Sequence, residues 1–293
     1  MEDKQKNMSS EVSRRDFAAL SVAAGLTAAA GSAHAAMAVT ESDVTIKTPD
    51  GTCDAAFIRP ASGKHPAVLL WTDIFGLRPS MRDMAKRLAG EGYSVLVPNP
   101  FYRTQKAPVI ADASTFDFGA PESRAKMGTW TAPINETGAI ERDAVAYIGF
   151  LDSQKEVDTA KKIGTQGYCM GGPLVFKTAA AVNNRVGAGA TFHGGGLVTD
   201  KPDSPHLLIP KMHTHMLIAI AASDDEKQPD AKTILKTAFA NAKVPAEVEV
   251  YAGTQHGWCV KDMPMQNGKP IYNQPDADRA WARLLNLYKT SLT

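Results

Sequence analysis

The feature that most constrains how this 293-residue chain can fold is a cysteine framed by glycines. The stretch Gly167-Tyr168-Cys169-Met170-Gly171-Gly172 lies between a predicted strand over 162–167 and a predicted helix over 171–182. A sharp strand-to-helix turn needs small residues two positions from its apex. The free N–H groups and positive dipole end of the helix then face Cys169, which favours a thiolate. Cys169 is therefore a candidate nucleophile; the alternative is a buried structural cysteine beside a glycine-rich turn.

The rest of the chain alternates predicted strands with predicted helices. Continuous apolar runs over 67–71 and 93–97 are typical of strands that are buried on both faces of a parallel sheet. Further strands are predicted over 44–47, 55–59, 186–192, 216–221 and 246–251, and further helices over 81–88, 140–151, 231–242 and 278–288. This alternation predicts an α/β fold with a mostly parallel central sheet and helices on both faces. Residues 99–136 are predicted to be an irregular functional loop or lid.

A histidine and two acidic residues follow Cys169 in the chain order of a nucleophile–acid–histidine triad. His256 comes after the last predicted strand, and Asp224 and Asp225 come after the preceding one. Open α/β sheets build their sites at these strand ends. His256 would take the thiol proton and return it to the leaving group, while an aspartate holds the imidazole. We expect Asp224 to be that acid because it follows the strand more directly; Asp225 is the alternative acid, or a helix cap.

Charge and cysteine content exclude several classes of protein. The 32 Lys and Arg residues balance 31 Asp and Glu residues, so the net charge of +1 indicates no nucleic-acid partner. Three cysteines in a long chain form no disulfide framework, although a Cys53–Cys259 pair stays open. His213 and His215 have no third ligand at a recognisable spacing. We therefore predict no metal site.

Residues 1–35 have the layout of an export signal. Arg14-Arg15-Asp16-Phe17 precedes an apolar, Ala-rich run over 18–30, and Ala33-His34-Ala35 is a small-x-small cleavage pattern. The arginine pair resembles the bacterial twin-arginine signal, and the apolar run is too short for a good membrane span. We expect a signal peptide that the twin-arginine export machinery recognises, a single domain over 36–293, and a periplasmic or secreted protein. The alternative is a plain Ala-rich helix.

Together these motifs resemble the dienelactone hydrolases, a branch of the α/β-hydrolases with a Cys-His-Asp triad. The resemblance extends from about Val44 to the C-terminus and includes Asp73-Ile74-Phe75-Gly76 and His256-Gly257-Trp258. It implies the α/β-hydrolase fold for the whole domain, and it implies no organic cofactor. Family members open cyclic enol-lactones such as dienelactone, and relatives cleave other esters and lactones.

The resemblance also implies roles for further residues. The oxyanion hole would be the backbone N–H groups of Met170 and Ile74, as in the general rule for such elbows. Asp73 stands where the family usually has a glutamate that interacts with the thiol, so it is a shorter candidate partner for Cys169. The best-known family members have an arginine shortly after the catalytic histidine, and this sequence has none there. Arg124 is then a candidate for binding a substrate carboxylate. Apart from the resemblance, Trp258 is a candidate for lining an apolar pocket, and the alternative is core packing.

These observations predict a hydrolase that opens lactones or cleaves small carboxylic esters through an acyl-enzyme on Cys169. Its partner would be a small-molecule substrate. Two alternatives stay open: a non-catalytic binding protein on the same scaffold, and a general esterase or thioesterase with the same triad. Fold alone does not decide among them.

Overall fold

Eight strands form one sheet in the computed structural model, which describes residues 36–110 and 112–293. The strands are β1 (Val39–Thr48), β2 (Gly51–Pro60), β3 (Ala67–Trp71), β4 (Ser94–Pro98), β5 (Ile163–Tyr168), β6 (Val186–Phe192), β7 (His215–Ala221) and β8 (Ala246–Tyr251). Their order in the sheet is β1-β2-β4-β3-β5-β6-β7-β8. The expected signal peptide of residues 1–35 lies outside the described residues.

The sheet is antiparallel only at one edge. The β1–β2 hairpin and the β2–β4 pair are antiparallel, and the five remaining pairs are parallel. Every residue of β3, β5 and β6 is buried, as expected for strands covered on both faces. The prediction of a mostly parallel sheet is confirmed.

Seven α-helices accompany the strands in the described residues. They are α1 (Pro79–Gly90), α2 (Pro121–Thr131), α3 (Ala139–Asp152), α4 (Gly171–Ala181), α5 (Ala222–Lys227), α6 (Ala231–Ala242) and α7 (Gln274–Ser291). Two glycines of β5 show that helices lie on both faces of the sheet. A Cβ on Gly164 would meet Tyr288 of α7, whereas one on Gly167 would meet Val175 of α4. Residues three apart in a strand point to opposite faces, so α7 and α4 cover opposite faces.

The expectation that residues 99–136 are irregular is wrong for one part of the segment. Helix α2 lies within it, with Pro121 in the first turn and Trp130 as its one buried residue. Because its apolar residues follow no helical period, the sequence carries no amphipathic signal for this helix. A second unpredicted helix, α5, contains Asp224 and Asp225.

Residues Met37–Thr293 form one compact unit. Its core is made of the buried faces of the strands together with large aromatic side chains such as Trp71, Tyr147 and Phe176. Across the described residues, no helix is both long enough and apolar enough to cross a membrane.

Candidate active site

Cys169 lies at the apex of a sharp turn between β5 and α4. Its φ of 52° is in the left-handed region, which is strained for a residue with a side chain. A Cβ on Gly167 would be 2.2 Å from the carbonyl oxygen of Gly171, and one on Gly171 would be 2.7 Å from that of Thr72. The backbone therefore leaves room only for glycine at these two positions. The turn places Cys169 at the N-terminus of α4, where the helix dipole favours an anion.

The loop after β8 brings His256 to the end of β7. The His256 backbone N–H donates to Ser223 Oγ over 2.9 Å, and the Ser223 N–H donates to the Thr254 carbonyl over 3.2 Å. His256 Nδ1 lies 2.7 Å from Asp224 Oδ2 and is hydrogen-bonded to it. Asp225 instead pairs with Lys232, with 2.7 Å between Oδ2 and Nζ. The structure thus brings Asp224, and not Asp225, to the imidazole.

The surroundings of His256 favour its protonated form. Burial lowers the pKa of His256, but hydrogen bonds with Asp224 and Cys169 outweigh burial and raise it to about 10. An imidazolium between a carboxylate and a thiol can stabilise a thiolate, which is the nucleophilic form of cysteine. The candidate nucleophile, base and orienting acid therefore lie together, an arrangement that suits nucleophilic acyl transfer.

Two backbone N–H groups are the candidate donors of an oxyanion hole. Met170 directly follows Cys169 and precedes the first turn of α4, and Ile74 lies in the loop between β3 and α1. Within the described residues neither backbone N–H donates a hydrogen bond, and both residues are partly exposed. Such free donors suit a developing oxyanion.

The Asp73 carboxylate forms a salt bridge with Arg78. This carboxylate is fully buried and bonded to both Nη atoms of Arg78, and it also accepts the Phe75 N–H. Arg78 bonds Asp262 as well, with 2.7 Å between Nε and Oδ2. Burial lowers the pKa of the Arg78 guanidinium, but the two carboxylates outweigh burial and raise it above its usual value. Sequence reasoning missed Arg78 and Asp262, which lie 184 residues apart.

Comparison with known proteins identifies the family of this chain. The family model described as the dienelactone hydrolase family matches residues 53–292. The chain belongs to the dienelactone hydrolase family. The carboxymethylenebutenolidase of Rhodococcus opacus is 26% identical to this member over 255 residues, which cover 84% of this chain and 90% of the relative.

Solved structures show the same fold. A dienelactone hydrolase-like promiscuous phosphotriesterase from metagenomic libraries matches with a TM-score of 0.70 at 22% identity, covering 87% of this chain and 100% of that chain. The dienelactone hydrolase of Anabaena variabilis matches with a TM-score of 0.60 at 15% identity, covering 87% and 99%. The expected α/β-hydrolase fold is confirmed.

Arg124 and Trp258 are the two residues that the sequence makes candidates for contact with substrate. Arg124 is exposed on α2, and its guanidinium donates to the Gly119 carbonyl over 2.6 Å, so it braces the preceding loop. Trp258 is completely buried and stacks on Tyr251, with 4.6 Å between ring centroids. An indole with no exposed surface lines no open pocket, so Trp258 supports the His256 loop from the core.

The remaining cysteines and histidines form neither a disulfide nor a metal site in the described part of the chain. Cys53, Cys169 and Cys259 are all free thiols, and burial raises the pKa of Cys53 to about 12. Cys53 therefore stays protonated and unreactive at neutral pH. No group of three His, Cys, Asp or Glu side chains is arranged to hold a metal ion in residues 36–110 and 112–293.

Proposed function

We propose that this member of the dienelactone hydrolase family opens lactones or cleaves small carboxylic esters through a Cys169 acyl-enzyme, with His256 as proton carrier and Asp224 as orienting acid. The observation that carries the proposal is the position of His256. Its imidazole is hydrogen-bonded to Asp224 on one side and interacts with Cys169 on the other. The names of the relatives support the substrate class, since a carboxymethylenebutenolidase is among them.

The reaction follows from these positions. The Cys169 thiolate attacks the carbonyl carbon, and the developing oxyanion takes hydrogen bonds from the N–H groups of Met170 and Ile74. The C–O bond to the leaving oxygen breaks as His256 donates its proton to that oxygen. In a lactone this oxygen stays attached to the acyl chain, so the ring opens on the enzyme. His256 then takes a proton from water, which attacks the thioester and releases the acid and the thiol.

Hydrolysis of a panel of lactones and esters by purified protein tests this function. We expect Cys169→Ala to lose turnover by at least about 10³-fold while its circular dichroism and unfolding midpoint stay those of wild type. Cys53→Ala serves as the matched control, because it removes a free thiol distant from the elbow. Unchanged turnover in Cys169→Ala would overturn the mechanism. Turnover of thioesters alone would favour the thioesterase alternative.

Thiol alkylation separates an enzyme from a binding protein on the same scaffold. We expect iodoacetamide to label Cys169 before Cys53 and Cys259, as read by peptide mass spectrometry. A lactone substrate should slow that labelling, because it occupies the thiol. An unreactive Cys169 that substrate does not protect would favour the non-catalytic alternative.

We also propose that residues 1–35 direct twin-arginine export to the periplasm or the exterior. The order of arginine pair, apolar run and small-x-small pattern supports this proposal. Replacing Arg14 and Arg15 by lysine should hold the protein in the cytoplasm with its leader attached. Export of the double lysine variant at the wild-type level would contradict it.

A further inference from the structure

A second histidine lies at the end of the strand next to the nucleophile. His193 directly follows β6, and its backbone N–H donates to the Ala219 carbonyl over 2.8 Å. Phe192 directly precedes His193, and its carbonyl accepts a hydrogen bond from the Cys169 N–H over 3.1 Å. The end of β6 is thus tied to the nucleophile on one side and to β7 on the other.

The backbone of His193 is strained in the same way as that of Cys169. His193 has a φ of 42°, and Cys169 has a φ of 52°. A left-handed conformation costs free energy for a residue with a side chain, and such residues cluster at functional sites. The turn that follows His193 packs closely against α4, since a Cβ on Gly172 would be 2.7 Å from the Cα of Gly194. The position of His193 is therefore fixed relative to the helix that begins at the nucleophile.

The His193 ring packs against the ring of His256. Their centroids are 4.9 Å apart and the planes meet at 68°, which is an edge-to-face contact. His193 also lies near Tyr168, with 6.1 Å between the ring centroids. The His193 side chain is completely buried, and neither ring nitrogen has a hydrogen-bond partner in the described residues. A buried nitrogen without a partner costs stability, so packing alone does not account for a histidine here.

The charge state of His193 suits this contact. Burial lowers the pKa of His193 well below its usual value, and the positive charge of His256 lowers it further. The ring is neutral at neutral pH, so it adds no second cation beside the imidazolium. The titratable side chains that face it are those of His256 and Tyr168.

We propose that His193 is a positioning residue, whose ring holds the His256 imidazole in the orientation that meets Asp224 and Cys169 at once. The proposal rests on the proposed roles of Cys169 and His256. The hydrogen bonds to Asp224, at 2.7 Å, and to Cys169 both require one orientation of the imidazole about its Cβ–Cγ bond. The edge-to-face contact restricts rotation about that bond, because a turned His256 ring would lose its packing against His193. His193 needs no contact with substrate to act in this way.

Two substitutions distinguish the effect of the His193 ring contact from the effects of its ring nitrogens and of its left-handed backbone. His193→Asn tolerates the left-handed backbone and stays polar, but it removes the ring contact. His193→Phe keeps an aromatic ring against His256 and removes both nitrogens. We expect His193→Asn to lower kcat by about 10- to 100-fold with KM within about twofold, because small misplacements of a catalytic group have effects of this size. His193→Phe should retain most of the wild-type kcat.

NMR titration of 15N-histidine-labelled protein gives a readout that a purely structural role would not move. The His256 signal, assigned with His256→Gln, should titrate near pH 10 in the wild type and in His193→Phe. In His193→Asn it should titrate lower, because the bonds to Asp224 and Cys169 that raise its pKa lose their alignment. Wild-type kcat and titration in His193→Asn would overturn the proposal. Equal losses of kcat in both variants would also overturn it, since they would assign the effect to the nitrogens.

A control substitution in β6 tests whether the loss of any buried, unpaired polar atom near His193 would change kcat. Thr191 is fully buried, its hydroxyl has no partner in the described residues, and it lies two residues before His193. Thr191→Val removes one such polar atom and should leave kcat and the His256 titration unchanged. The titration needs no turnover, so it still tests the positioning role if Cys169→Ala shows that the proposed function is wrong.

Discussion

Arg78 holds Asp73 through two parallel hydrogen bonds, of 2.7 Å from Nη1 to Oδ1 and 2.9 Å from Nη2 to Oδ2. The two side chains are 1% and 0% exposed. Asp73 Oδ1 also accepts the N–H of Phe75 over 2.9 Å, so the carboxylate ties down the loop that carries Ile74. The Asp73 carboxylate thus holds the loop that carries Ile74, and within the described residues its hydrogen bonds are to Arg78 and to the Phe75 N–H.

Removing Arg78 should destabilise the protein strongly. Arg78→Met leaves the buried Asp73 carboxylate without its cationic partner and with only the Phe75 N–H as donor, which costs about 3–5 kcal/mol. Urea unfolding followed by circular dichroism measures the loss. Arg82→Met is the matched control, because Arg82 pairs with Glu41 and Asp43 at 26% exposure, and its loss should cost less than about 1 kcal/mol.

A compensating variant tests the cause of that loss. Asp73→Asn combined with Arg78→Met removes both charges, so it should recover part of the lost stability. Equal stability of the single and double variants would show that the buried charge is not the source. Ester hydrolysis by the double variant then reports whether the loop still presents the Ile74 N–H.

Asp224 and Asp225 should differ sharply in their effect on turnover. Asp224→Asn keeps the size of the side chain but no longer holds the imidazolium, so kcat should fall on the order of 10³- to 10⁴-fold. Asp225→Asn removes only the pair with Lys232 and should change kcat by less than about threefold. Steady-state hydrolysis of one activated ester by both variants checks this. The reverse order of losses would make Asp225 the acid.

The raised pKa of His256 predicts how stability depends on pH. The pKa is about 10 in the folded protein, against 6.5 in the unfolded chain, so folding favours the protonated ring. This contribution is fully present below about pH 6.5 and is lost as the pH rises towards 10. The His256 side chain is 30% exposed, so solvent screening limits the contribution to about 1–2 kcal/mol.

Paired unfolding measurements test this pH dependence. The free energy of unfolding of wild type minus that of His256→Gln should be larger at pH 6 than at pH 10.5. Taking the difference between the two free energies of unfolding cancels the contributions of titratable groups that both proteins share. A constant difference across this range would show that His256 is not protonated by preference in the folded state.

The elbow and the sheet are predictable from the sequence because their signals are local. Glycines at positions 167 and 171 sit two residues from Cys169, and the apolar runs of the strands are continuous. Helix α2 lacks such a signal, since Trp130 is its one buried residue. The pairing of Arg78 with Asp262 and the contact of His193 with His256 join distant parts of the chain. No spacing in the sequence encodes them, so they emerge only once the sheet brings the loops together.

The two glycines of the elbow should be irreplaceable, in contrast to glycines elsewhere. Gly167→Ala places a Cβ 2.2 Å from the Gly171 carbonyl oxygen, and this backbone atom cannot move away without breaking the turn. We expect a loss of roughly 3 kcal/mol or more, or an insoluble protein. Gly128→Ala is the matched control, because a Cβ there meets no atom within 4 Å and Gly128 lies inside α2. Its stability should rise by about 0.5–1 kcal/mol, since alanine favours the helix and restricts the unfolded chain. Urea unfolding of both variants measures the contrast, and a Gly167→Ala protein within 1 kcal/mol of wild type would contradict the tight turn.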